Sequence, residues 1–183
     1  MSSTEEIIMA GFGGQGILFL GKILAELGMK AGRHVSWIPS YGPEMRGGTA
    51  NCSVVISESP ISSPVVNEPD AVLAMNRPSV ARFNPKIKQN GLIIFNSSLI
   101  EGESMREDLR KMKVPASEIA DELGNSKVAN LVMAGAYLKF SNVISFEKAV
   151  KLLPEIIPAK RRELSELNVA AFKRGFDAVS EAH

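Results

Sequence analysis

Cysteine is nearly absent: Cys52 is the only thiol in 183 residues. One thiol excludes an internal disulfide, and a single chain with one cysteine cannot hold a cysteine-ligated iron–sulfur cluster. Histidine is almost as scarce, and His34 and His183 are too few and too far apart to suggest zinc. No stretch is long and apolar enough to read as a bilayer-spanning helix. Charge of one sign is missing too. The net charge of +1 gives no reason to expect nucleic acid or an anionic membrane as partner. Glu5 and Glu6 come early, and glycines break the apolar stretch after them, so the start does not resemble a signal peptide. The expected location is the cytoplasm.

Glycine, by contrast, is concentrated in two places. Ile7, Ile8, Met9 and Ala10 form a short apolar run, followed at once by GFGGQG. Residues 17–31 then read as a helix, with Ile17, Leu20, Leu24, Leu27 and Ala31 close to a 3.6 period, and Gly32 stops it. A second strand at 35–38 completes a βαβ unit, predicted parallel with a right-handed crossover. Strands are also predicted at 52–56, 71–75 and 92–95, with a proline-bearing extended excursion over 57–70. Helices are predicted at 78–83, around 106–112, from 115 to 123 and over 127–140. A further helix over 146–153 is capped by Ser145, and a last one runs from Pro158 to about Val179 with a stripe of Leu164, Leu167, Ala171 and Phe172. The fold class expected is α/β in one domain, residues 1–183. It is a Rossmann-like open, mostly parallel sheet with helices on both faces and a helical C-terminal third.

The second glycine-rich stretch is SYGPEMRGGT, residues 40–49, between two predicted strands. Three glycines and a proline specify a shaped loop, and Glu44 and Arg46 put opposite charges on it. They either brace one another or meet a partner: the Arg46 fork suits a carboxylate or phosphate. GFGGQG aims free N–H groups and the positive end of a helix dipole outward, which favours an anion by roughly 0.3–2 kcal/mol. Alternatively, its glycines serve only a tight turn and close helix–sheet packing. A dinucleotide site also wants a carboxylate at the end of the second strand. That strand ends Trp37-Ile38-Pro39-Ser40, which counts against simple NAD binding. Asn76, at the carboxyl end of the fourth predicted strand, joins the same edge, where open α/β sheets place ligands. Cys52 reads as a small buried hydrophobe, His34 and the Lys160-Arg161-Arg162 run as solvated.

GFGGQGILFLGKILAELGM and VSWIPSYGPEMRGGTANCSVVIS together resemble the gamma subunit of the 2-oxoacid:ferredoxin oxidoreductases. The likeness continues through SPVV, PDAVLAMN and VPASEIADELGNSKVANLVMAGAYL, fading over the last thirty residues or so. The resemblance implies an enzyme that converts a 2-oxoacid and coenzyme A to an acyl-CoA and carbon dioxide while reducing ferredoxin. It implies thiamine diphosphate, Mg2+, iron–sulfur clusters and coenzyme A in the complex, none bound by this chain alone, and no catalytic or metal-binding residue in this chain. The implied partners are alpha and beta subunits and a ferredoxin-like subunit, with ferredoxin as acceptor and a homodimer open to the isolated chain. Gly11, Gly13, Gly14, Gln15 and Gly16 match the family's glycine loop. Tyr41, Gly42, Pro43, Glu44, Met45, Arg46, Gly47 and Gly48 match its second loop, expected to dock on partner subunits beside the coenzyme A side of the site. PEMRGG is closer to the 2-oxoglutarate and branched-chain types than to the indolepyruvate type. A free-standing Rossmann-type nucleotide-binding module or NAD-dependent dehydrogenase is the alternative class; calorimetry with NAD(H) and coenzyme A separates the two.

Overall fold

The computed structural model describes residues 4–40, 49–157 and 165–182. Its centre is β1 (Thr4–Phe12), whose side chains alternate between two cores as a strand covered on both faces requires. Ile7 and Met9 face one core; Ile8 and Ala10 face the other. The sheet also contains β2 (His34–Ser40), β3 (Thr49–Ser57), β4 (Ala71–Ala74), β5 (Leu92–Asn96), β6 (Arg110–Val114) and β7 (Ser180–Glu181). They lie in the order β2-β3-β1-β4-β5-β6-β7. The β1–β4, β4–β5 and β5–β6 ladders are parallel, and β3 and β7 are the two reversed strands.

The first core lies under α1 (Ile17–Lys30), α3 (Ala116–Glu122), α4 (Ala129–Leu138), α5 (Phe146–Ile156) and α6 (Ser165–Ala178). The second is covered by α2 (Arg77–Phe83) and by Ile87, Ile100 and Leu109 from irregular segments. The α/β class and the helical C-terminal third match the sequence reading.

Several elements differ from it. β2 runs parallel to β1 but does not pair with it, because β3 lies antiparallel between them along nine residues of β1. The segment read as a helix around 106–112 is a turn leading into β6. Met112 and Val114 join the first core while Lys111 and Lys113 occupy the alternate positions, a period of two that a helix could not satisfy. The Arg106 guanidinium holds the turn by donating to Ile87 C=O at 2.6 Å and pairing with Asp108. The helix read over 127–140 opens as a 3-10 turn, Ser126–Val128, before α4 begins. Ser145 does cap α5, its hydroxyl accepting from Lys148 N–H at 3.3 Å, but the helix continues through Pro154 to Ile156. For the last helix, the expected start at Pro158, with Leu164 and the Lys160-Arg161-Arg162 run, lies outside the described residues. Leu167, Ala171 and Phe172 pack against the first core as read.

Candidate functional site: the glycine loop and its cavity

β1 delivers the glycine loop to the carboxyl edge of the sheet. Gly13 and Gly14 form an exposed turn, closed by Gln15 N–H donating to Phe12 C=O at 3.2 Å. Gly14 (φ 98°) and Gly16 (φ 74°) take left-handed backbone, which a side chain would strain. Gly16 is the N-cap of α1, and the first turn has neither a side-chain cap nor an acidic residue. The positive end of a 14-residue helix is therefore uncompensated by its own sequence.

Beside it lies a cavity of about 270 Å³, lined by Gly14, Gly16, Phe19, Lys127, Asn130 and Asn168 among others. Asn130, on α4, donates its Nδ2 to the Gly16 carbonyl at 3.3 Å and so ties the helical layer to the loop. A Cβ on Gly16 would collide with that same Nδ2. Asn168, on α6, is only 5% exposed and lines the same cavity. Lys127 adds an exposed cation at the rim. Backbone amides, a helix N-terminus, a lysine and two carboxamides form a donor set suited to a phosphorylated, amide-bearing molecule.

Of the residues singled out in the sequence, the structure brings Gly11, Gly13, Gly14, Gln15, Gly16 and Asn76 to one edge. Gln15 bridges the loop to the end of β4 through Met75 C=O at 3.3 Å. The next residue, Asn76, caps α2, its Oδ1 accepting from Ser79 N–H at 2.9 Å. Among the described residues, its Nδ2 and the Ser79 hydroxyl are buried without partners. Asn76 does not line the glycine-loop cavity.

Tyr41, Gly42, Pro43, Glu44, Met45, Arg46, Gly47 and Gly48 lie outside the described residues. Their anchors do not: Ser40 registers with Asn51 on β3, and Thr49 with Phe12 on β1. The Arg82 guanidinium donates to the Thr49 hydroxyl at 3.4 Å. Both loops thus leave the sheet at the same edge.

Sequence reasoning did not single out Lys127, Asn130, Asn168 or Phe19. The available signal was the asparagine in each of two otherwise apolar helical stretches, VANLVM and LNVAAF. Among the described residues, no group of three or more His, Cys, Asp or Glu could hold a metal ion, and no helix is long and apolar enough to cross a membrane.

Comparison with known proteins gives this edge a context. The chain is 36% identical over 169 residues to the ketoisovalerate oxidoreductase subunit VorA of Methanothermobacter marburgensis, covering 92% of this chain and 35% of the relative. The chain therefore spans about a third of the length of the VorA relatives. Against the 2-oxoglutarate synthase subunit KorC of Methanocaldococcus jannaschii it is 33% identical over 180 residues, 97% of this chain and 95% of the relative. The crystal structure of a keto/oxoacid ferredoxin oxidoreductase gamma subunit from Geobacter sulfurreducens superposes with a TM-score of 0.81 at 29% identity, covering 95% of this chain and 97% of that one. The pyruvate ferredoxin/flavodoxin oxidoreductase family model matches residues 6–178, and this chain belongs to that family.

Proposed function

We propose that this chain is the gamma-type subunit of a 2-oxoacid:ferredoxin oxidoreductase, inactive alone and supplying the coenzyme A side of a site whose reacting groups sit on partner chains. The observation that carries this reading is the near end-to-end correspondence with the KorC subunit of Methanocaldococcus jannaschii. The donor chemistry agrees. One cysteine in the whole sequence is no ligand set for an iron–sulfur cluster, so those clusters fall to partner chains, and on this reading thiamine diphosphate with its Mg2+ belongs to the alpha and beta partners. Coenzyme A carries phosphates and amides. The glycine-loop amides, Lys127 and the cavity-lining carboxamide of Asn168 are fitted to such a molecule.

The cytoplasm is the setting in which such a complex meets oxidised ferredoxin and coenzyme A. The second loop, leaving the same edge, docks on the partners, with Arg46 meeting a carboxylate or phosphate there. The test is anaerobic purification of the tagged chain from its host, followed by 2-oxoacid- and coenzyme A-dependent dye reduction over pyruvate, 2-oxoglutarate and branched-chain substrates. Co-purification of thiamine-diphosphate and iron–sulfur subunits with activity supports the assignment; a chain that emerges alone and inactive overturns it. Within an active complex, Arg46→Ala is expected to lower activity about tenfold or more while this chain stays folded. Unchanged activity removes the docking role of Arg46.

A further inference from the structure

In an open α/β sheet, ligands enter where adjacent strands send their connections to opposite faces. β1 and β4 are such a pair: β1 leads to α1 over the first core, β4 to α2 over the second. Their last registered residues are Ala10 and Ala74, and Met75 N–H donates to Ala10 C=O at 2.8 Å. The next rung of a parallel ladder runs from Phe12 N–H to Met75 C=O. Here a side chain stands in that rung. Gln15 Oε1 accepts from Phe12 N–H at 2.6 Å, and Gln15 Nε2 donates to Met75 C=O at 3.3 Å. A carboxamide carries the donor and acceptor of a peptide group, so it continues the ladder as the strands part.

Gly11 makes the room. A Cβ there would lie 2.6 Å from Gln15 Oε1, 2.7 Å from Ile17 Cδ1 and 2.8 Å from Met75 Cβ. Gly11 is not among the glycines with positive φ, so the position demands space, not unusual backbone. Where the first glycine of a dinucleotide fingerprint serves the tight turn, Gly11 admits the loop's own glutamine. We propose that Gln15 is the specificity-determining residue of the glycine loop. It takes up the Phe12 amide, a donor that the parting strands would otherwise leave open to an anion at this edge, closes the β1–β4 crevice, and leaves the Gly13–Gly14 turn and the cavity beside α4 as the binding face. This geometry holds whichever reaction the complex serves.

Amide NMR on the full chain, with inorganic pyrophosphate as probe, tests it. In the unmodified protein the Phe12 amide is expected not to shift on addition of pyrophosphate. It is also expected to exchange about tenfold more slowly than in Gln15→Ala, the effect of one hydrogen bond. In Gln15→Ala the same amide becomes free and shifts at the same pyrophosphate concentration. A Phe12 amide that shifts in the unmodified protein overturns the proposal without any variant. So does an amide that exchanges equally fast in both proteins, or one that stays unresponsive in Gln15→Ala. Should the alanine variant fail to fold, Gln15→Ser takes its place, being too short to reach Met75.

Discussion

Gly16 and Gly14 separate two reasons for glycine. Both have left-handed backbone, but a Cβ on Gly14 would meet nothing within 4 Å, whereas one on Gly16 would strike the Asn130 carboxamide. Gly14→Ala is therefore expected to cost only the conformational strain, about 1–2 kcal/mol. Gly16→Ala should add about 1–3 kcal/mol of overpacking and break the Asn130 tie to the loop. Urea unfolding of the two variants measures the gap, and equal losses would mean that Asn130 does not brace Gly16. The glycine loop was legible because its residues are consecutive and the pattern marks a strand-to-helix turn. Asn130 and Asn168 were not, because the cavity joins residues more than a hundred positions apart. In sequence, each asparagine is only a polar interruption in an apolar helix.

At the scale of elements, α4 and α6 pack backbone against backbone. A Cβ on Gly135 would collide with the Phe172 carbonyl, and one on Gly175 with the Val132 carbonyl. Each glycine thus admits the backbone of the opposite helix, drawing the two axes together. Phe146 on α5 then stacks on Phe176 at 3.9 Å and Phe172 at 5.7 Å between centroids. Gly135→Ala is expected to destabilise the chain by about 3 kcal/mol, the upper end of overpacking, because the obstacle is backbone and cannot rotate away. Gly175→Ala should do the same, and the double variant should cost less than the sum, since the first separation relieves the second clash. Additive losses in denaturant midpoints would refute a shared crossing. The sequence showed α4 to be apolar all round, and all ten of its residues are buried. It did not show that α6 covers it, because helix pairing leaves no local mark. β6 was misread for a related reason: five residues with three cations reveal their alternation only against β5.

For the whole molecule, the amino edge of the sheet is fastened by polar contacts, as the carboxyl edge is given to loops. The Glu5 carboxylate accepts from Tyr137 Oη at 2.6 Å, Ser141 Oγ at 2.7 Å and Asn142 N–H at 2.8 Å, joining β1 to the end of α4. Lys88 joins Glu6 and Asp70 at 2.7 and 2.8 Å on the other side of the same edge. These contacts and the buried thiol have a common pH signature. Burial pushes the Cys52 thiol up to about 12, and the thiol lies against Ile17 C=O at 3.4 Å. Burial, with Glu5 beside it, pushes the Tyr137 hydroxyl well above its ordinary range. For Lys88, burial works against the charge, but the hydrogen bonds it donates to Asp70 and Glu6, with their negative charge, outweigh it and raise the ammonium. In all three cases the folded state keeps its proton at a pH where the unfolded chain has lost it. Their stability is complete below the unfolded values and is lost as pH rises through the folded ones. The melting temperature should therefore hold near neutrality and fall from about pH 9 upward. For Cys52 the shift from 9.0 to about 12 corresponds to about 4 kcal/mol lost across that window, and Tyr137 and Lys88 add theirs above about pH 10. Cys52→Ala, though less stable at pH 7 for the lost packing, should show a shallower alkaline decline, followed through the lone tryptophan, Trp37. Parallel declines in the two proteins would mean that the thiol carries no such linkage, and that the alkaline edge of stability belongs to Tyr137 and Lys88 alone among these three.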